Sequence, residues 1–178
     1  SLPDSGDILT LSRSTGTVVD TANSDGGTWP AGFGSPNFYS MERVVNGTVA
    51  AKDNSAGWIT NNNSATWTGR DANNNLIHGT PGMGNWSFSV TPTLTPKASL
   101  TRSVLINEIA WAGTLSSLTD DEWIELYNPG SVSINITGWT IKASDGEPNI
   151  TLIGTIPARG YFLLERGTTV IDNTTVSD

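Results

Sequence analysis

Along the chain, apolar residues recur at every second position in short runs closed off by Gly, Pro, Asn, Asp and Ser, and no window longer than about ten residues carries a helical repeat. Such alternation sets one side of each run against a core and the other toward water, so the chain reads as all-β. Asp7–Leu11 and Thr17–Asp20 flank Arg13-Ser14-Thr15-Gly16, which predicts a hairpin whose glycine takes a left-handed turn position. A further short strand is expected at Tyr39–Val44. Between Asn46 and Asn85 the repeat fades: Trp58 and Trp67 are expected to anchor a long loop, and Asp71-Ala72-Asn73-Asn74-Asn75 through Gly79-Thr80-Pro81-Gly82 is loop by composition. Residues 89–103 carry two Thr-Pro steps and few large apolar side chains, as an extended linker does. Beyond it, strands are expected at Val104–Trp111, Glu122–Tyr127, Ile134–Ile141, Ile150–Ile153 and Tyr161–Leu164. Asn128-Pro129-Gly130, Ser144-Asp145-Gly146 and Ala158-Arg159-Gly160 supply turns between them, and strands so spaced predict a sandwich.

Two groups of motifs sharpen this. Val-Leu-Ile-Asn-Glu-Ile-Ala-Trp at 104–111, then Asp-Glu-Trp-Ile-Glu-Leu-Tyr-Asn-Pro at 121–129, Gly138-Trp139-Thr140-Ile141 and Gly160-Tyr161-Phe162-Leu163-Leu164, resemble the opening half of a lamin tail domain. Gly6–Leu11, Gly16–Asp20, Trp29-Pro30, Ser40-Met41-Glu42-Arg43 and Gly79-Thr80-Pro81-Gly82 are similar to the closing half of the same family's pattern. The halves stand in reversed order. The resemblance therefore implies that 1–88 is the C-terminal half of one module, 89–103 a Thr/Pro linker, and 104–178 the N-terminal half of the next. It implies an immunoglobulin-like β-sandwich completed by the two half-modules in circularly permuted order, a role in interaction or display, and no catalytic residues. A half-sandwich alone would leave an apolar sheet face and an open strand edge in water, so the halves must pair. Pairing within one chain gives a monomer; pairing between chains gives a domain-swapped oligomer.

Charge and composition narrow the partners. With a net charge of −8, a pI near 4.4 and nine Lys and Arg residues scattered along the chain, phosphate backbones are repelled and nucleic acid is not expected as a partner. No run approaches the roughly 20 apolar residues that cross a bilayer, so membrane insertion is not expected either. The absence of cysteine removes disulfides, thiolate zinc sites and cysteine nucleophiles. Abundant Gly, Asn, Ser and Thr with scarce Lys suit a secreted or cell-surface protein, whose partners would be other modules of the same protein or surface proteins.

Candidate chemistry is sparse. Asp120, Asp121 and Glu122, with Glu125 and Glu108 nearby in the pattern, form the richest acidic group. Hard cations want several oxygen ligands, which makes Asp120, Asp121 and Glu122 the candidate calcium ligands, and paired carboxylates also serve glycosidases. Against both stands the plainer alternative that Glu108 and Glu125 bond backbone groups while Asp120 and Asp121 are solvated loop. His78 is the only histidine and has no nucleophile elbow to work with. Trp111, Trp123 and Trp139 alternate with apolar strand residues and are expected in the core; Trp29, Trp58 and Trp67, expected in loops, are the candidates for stacking on a glycan. The function expected is a structural or protein-interaction module without enzymatic activity and without a cofactor, calcium apart; the alternative is a ligand-binding module for glycan or calcium.

Overall fold

The computed structural model describes residues 1–46, 49–50, 53, 55–71, 73–85 and 102–166. Strands β1 (Leu9–Ser12), β2 (Val18–Ala22), β3 (Met41–Arg43), β4 (Val45–Asn46), β5 (Val49–Ala50) and β6 (Trp58–Thr60) come from the first part of the chain. The second part supplies β7 (Leu105–Ala110), β8 (Trp123–Tyr127), β9 (Ile134–Asn135), β10 (Thr140–Ala143), β11 (Asn149–Thr151), β12 (Thr155–Ile156) and β13 (Tyr161–Glu165). The fold is an all-β, immunoglobulin-like sandwich of antiparallel sheets. One sheet has the order β11-β10-β1-β2 and the other β13-β8-β7-β3-β6, with the small pairs β12-β9 and β4-β5 beside them. Strands of the two parts are therefore neighbours in both sheets: Leu9 lies opposite Ala143 in one, Met41 opposite Ile109 in the other.

The hairpin at the start closes where expected, with Gly16 at φ 82° and its N–H donated to Arg13 O over 2.8 Å. Two expectations change. The strand expected at Ile134–Ile141 is broken: Gly138, at φ 80°, turns the chain, so β9 pairs with β12 while β10 joins the four-stranded sheet. Trp58 is not a loop anchor but the first residue of β6, paired with Arg43. Of the linker expected at 89–103, all but Arg102 and Ser103 lies outside the described residues; those two are tied down, by Asp20 Oδ1 (3.1 Å from Arg102 Nε) and by Arg13 Nη2, which donates to Ser103 Oγ.

Burial explains the layering. In β1 only alternate residues are buried, Leu9 and Leu11, as in a sheet with one wet face. In β3, β7 and β8 every residue is buried. Met41, Ile106, Ile109, Ile124 and Leu126 point between the sheets, against Leu9, Leu11, Ile136, Ile141 and Leu152. Each such side chain is worth about 1.5–3 kcal/mol when removed from water. The other face of the same strands carries Ala110, Trp123 and Leu163 of β13, and it is covered by Ile77 from the segment 61–85. The five-stranded sheet is thus the middle of three layers.

A buried ion pair ties the sheets together. Arg43, fully buried on β3, places Nη2 3.1 Å from Oδ2 of Asp20 on β2. Asp20 Oδ2 also accepts the N–H of Ile106 (2.8 Å), while Arg43 Nε donates to Ile106 O (2.8 Å) and Nη2 to Thr21 O (2.6 Å). Ile106 sits next to the bulge in β7, where pairing with β3 has stopped, so the two side chains serve the backbone groups of Ile106 that the ladder leaves there. The guanidinium lies over the Trp58 ring at 4.3 Å. Burial pushes the Asp20 carboxyl up and the Arg43 guanidinium down, against the attraction of each for the other. Arg43→Ala would leave the buried Asp20 carboxylate with only the partly exposed Arg102 as counter-ion and two backbone carbonyls without their donor; the expected loss is about 3 kcal/mol of unfolding free energy in a urea titration.

Candidate functional site

The segment 61–85 has little regular structure, and its course is set by side chains that bond their own backbone. Asp71 accepts the N–H groups of Asn73 and Asn75 (2.9 and 2.8 Å), which closes a turn, and Asn74 sits in it at φ 64°. Trp67 donates its indole N–H to Asn61 O (3.2 Å) and stacks on His78 at 4.0 Å, with Tyr39 beside both. Thr68 N–H to Gly79 O and Ser40 N–H to His78 O then deliver Gly79-Thr80-Pro81-Gly82 onto the outer face of β3, β7 and β8.

Under that tetrapeptide lies a row of three glutamates, one per strand. Glu42 of β3 is opposite Glu108 of β7, and Glu108 is opposite Glu125 of β8; all three are fully buried. Glu108 Oε1 accepts from Thr80 N (2.8 Å) and Ser40 Oγ (2.5 Å). Glu125 accepts the N–H of Gly82 on Oε2 (2.5 Å) and Asn107 Nδ2 on Oε1 (2.7 Å). Glu42 Oε1 accepts from Asn61 Nδ2 (2.5 Å). The Thr80 hydroxyl stands between two carboxyls, 2.8 Å from Glu42 Oε1 and 2.8 Å from Glu108 Oε2. A hydroxyl has one proton, so it satisfies both contacts only by donating to one oxygen and accepting from the other, and one carboxyl must be protonated. Burial first, then the charges of Glu42 and Glu125, hold the Glu108 carboxyl well above the ordinary value, which favours a proton there. Burial likewise pushes Glu125 up to about 8 against the donors from Gly82 and Asn107, and raises the Tyr161 hydroxyl with help from the Glu125 charge.

Beyond the row, Asn85 and Asn107 continue the seam. Asn85 Nδ2 donates to Arg43 O (2.8 Å) and Asn107 O (3.1 Å), and Asn107 Nδ2 donates to Asn85 Oδ1 (2.7 Å), bridging β3 and β7 where their ladder ends. Ser40, Glu42, Asn61, Thr80, Gly82 and Asn85 belong to the first part of the chain, Asn107, Glu108 and Glu125 to the second. The site is a polar seam between the two parts.

The residues expected to bind ligands fall elsewhere. Asp120, with its side chain 82% exposed, pairs with Arg166 at 2.9 Å. Glu122 is held by the same arginine (3.5 Å) and by the N–H of Leu2 (3.0 Å). Asp121 is raised by burial and by the neighbouring charge of Asp71. Among the described residues no three His, Cys, Asp or Glu converge to hold a metal ion, and of the calcium candidates Asp120, Asp121 and Glu122 two share Arg166. Trp29 and Trp58 are core residues with no face open to a sugar ring, because Trp29 donates to Pro3 O inside the main cluster and Trp58 lies under Arg43. Trp67 is only partly buried. Glu42, Thr80, Asn61 and Asn85 are not among the residues expected from the sequence to bind a ligand; their signal was a Glu beside an apolar strand residue at three places, together with Gly-Thr-Pro-Gly.

Residues 97–177 match the Lamin Tail Domain family model. Over that stretch the chain is similar to the lamin tail domain family. Comparison with curated proteins and with solved structures finds no match to the chain. Lamin tail domains are immunoglobulin-like and non-catalytic, and the motifs quoted for the resemblance include Glu108 and Glu125, the second and third members of the buried row.

Two outcomes follow for the lamin tail seam. A Cβ on Gly79 would lie 2.5 Å from Glu108 Oε1, 2.9 Å from Ser40 Oγ and 3.0 Å from the Trp123 ring. Gly79→Ala is therefore expected to cost about 1–3 kcal/mol of stability by chemical denaturation. Because Glu108 and Glu125 are raised in the folded protein, they contribute stability that is fully present below the ordinary carboxyl value of 4.5 and is lost as pH rises through about 8. The melting temperature should accordingly fall between pH 6 and pH 9, and calorimetry across that range measures it.

Proposed function

We propose that the chain is a non-catalytic structural or protein-interaction module of a secreted or cell-surface repeat protein, in which 1–88 and 104–178 are halves of successive lamin tail-like modules that complete one sandwich. The observation that carries this reading is the seam: buried polar groups of each part are satisfied by the other, Thr80 and Gly82 by Glu108 and Glu125, Arg43 and Asp20 by Ile106. Groups so buried would be costly to leave unpaired, which supports obligatory pairing of the two parts. The partner in a longer array would be the complementary half of a neighbouring module, and in solution either the same chain or a second copy. A non-catalytic role is supported by the lack of any exposed surface on the three glutamates and by His78, whose Nδ1 is engaged by Asn37 O and whose ring lies on Trp67. A subsidiary reading, glycan binding, rests on Trp67 alone, whose ring keeps some exposure.

A protease site placed between residues 86 and 101 of the full chain tests the pairing. After cleavage the two pieces should elute together and retain one cooperative unfolding transition, with light scattering distinguishing monomer from swapped oligomer. Pieces that separate, each with its own transition, would sink the reading.

A further inference from the structure

The seam has a chemistry that ordinary sheet packing lacks, and its regulation goes beyond the pairing itself. We propose that it is a proton-operated latch: with Glu108 protonated the segment 61–85 stays clasped on β7 and β8, and with Glu108 ionised that segment lets go and uncovers the strand face bearing Trp123 and Leu163. The inference rests on the reading of the two parts as paired halves, and it names what governs their outer joint.

Geometry carries it. Glu108 Oε1 is occupied by two donors, Ser40 Oγ and Thr80 N, so the acid proton belongs on Oε2, facing the Thr80 hydroxyl at 2.8 Å. The chain of donors then runs from Glu108 Oε2 to Thr80 Oγ1 to Glu42 Oε1. Removing the proton leaves two adjacent buried carboxylates contesting one hydroxyl proton. Among the described residues, the titratable groups whose charge is felt with that of Glu108 are Glu42 on β3, Glu125 on β8 and Tyr161 on β13. Arg43, next to Glu42, is directed to the opposite face, into the pair with Asp20. On the covering segment, Arg70 donates to Asn74 O at the surface, Asp71 is spent in its own turn and His78 is turned onto Trp67. Relief comes most readily by lifting Thr80 away. The main core between the sheets does not depend on that segment's residues 61–85, whereas Ile77 is its contribution to the outer cluster with Ala110, Trp123 and Leu163. Local release is thus separable from unfolding. The direction of the Glu108 shift agrees: closure is favoured fully at acid pH and weakens as pH rises through the raised value.

Glu108→Gln tests the mechanism because its amide reproduces the neutral acid. Oε1 keeps the donors from Ser40 and Thr80, and Nε2 donates to Thr80 Oγ1 at any pH. Hydrogen exchange of the full chain, corrected for the intrinsic effect of pH, is followed at the N–H groups of Thr80 and Gly82, with the β1–β10 ladder as internal reference. In the wild type, protection at Thr80 and Gly82 relative to the ladder should fall by up to about tenfold per pH unit between the ordinary carboxyl value and the raised value of Glu108 in the clasped state, the slope of a single linked proton, and level off above it. In Glu108→Gln the slope at Thr80 should be lost. A flat wild-type profile, or a variant as pH-sensitive as the wild type, overturns the latch. Should the variant not fold, the carboxyl carbon resonance of Glu108 in the wild type decides, and a loss of protection that does not level off where that resonance titrates overturns it. Millimolar calcium restoring protection at pH 9 overturns it too, since a cation and not a proton would then be holding the row. Separation of the cleaved halves already at pH 6 would overturn the pairing and the latch together; intact pairing with flat protection overturns the latch alone.

Discussion

Three carboxyl groups shut away from water are tolerable only when their oxygens meet donors and the number of negative charges is kept below the number of groups. The outer face of the five-stranded sheet meets this demand with backbone N–H groups of Thr80 and Gly82, hydroxyls of Ser40 and Thr80, amides of Asn61 and Asn107, and a Glu108 carboxyl whose hold on a proton is strengthened by burial. Much else follows from that arrangement. Gly79 has no room for a side chain because Glu108 and Ser40 stand beneath it, and Thr80 carries a hydroxyl because something must both donate and accept between Glu42 and Glu108. The Gly-Thr-Pro-Gly motif is a lid whose chemistry is dictated by what it covers.

A second polar device lies on the other face of the same strands. The Asp20–Arg43 pair spans the sandwich and serves both backbone groups of Ile106 beside the β7 bulge. Buried ion pairs add little net stability when compared with apolar packing of the same volume, yet are costly to break. Together the two devices pin the register of β3 against β7. Because side chains alternate, a slip of one residue would turn Glu42 into the apolar core and Arg43 toward the glutamates, exchanging satisfied polar groups for stranded ones. The parts of the chain thus meet in one alignment.

The same features bear on function. The described part of the stretch matched to the lamin tail domain, 102–166, forms sheets with strands from the preceding residues, and the polar groups at their junction are inward-facing. Chemistry that would look catalytic on a list of residues, three carboxyls and a threonine within hydrogen-bond reach of two of them, serves here to join strands and a covering segment.

The all-β class, the opening hairpin, the strands around Leu105–Ala110, Trp123–Tyr127 and Tyr161–Glu165, and the family resemblance were determined by the sequence alone, since each rests on local alternation, turn residues and short motifs. What it could not determine was which faces are buried. Glu42, Glu108 and Glu125 each stand next to an apolar strand residue, and in a strand with one wet face that alternation puts the glutamate in water. Only the placement of 61–85 over that face, an association between residues far apart in the chain, turns it inward and changes the charge the carboxyls can carry. The same holds for Trp29 and Trp58: aromatic rings in stretches rich in turn residues read as loop residues, and it is contact with Pro3 and Arg43 that places them in the core. Local pattern settles the backbone's periodicity because that is a short-range steric property, whereas burial on a second face is decided by whatever the rest of the chain brings to it.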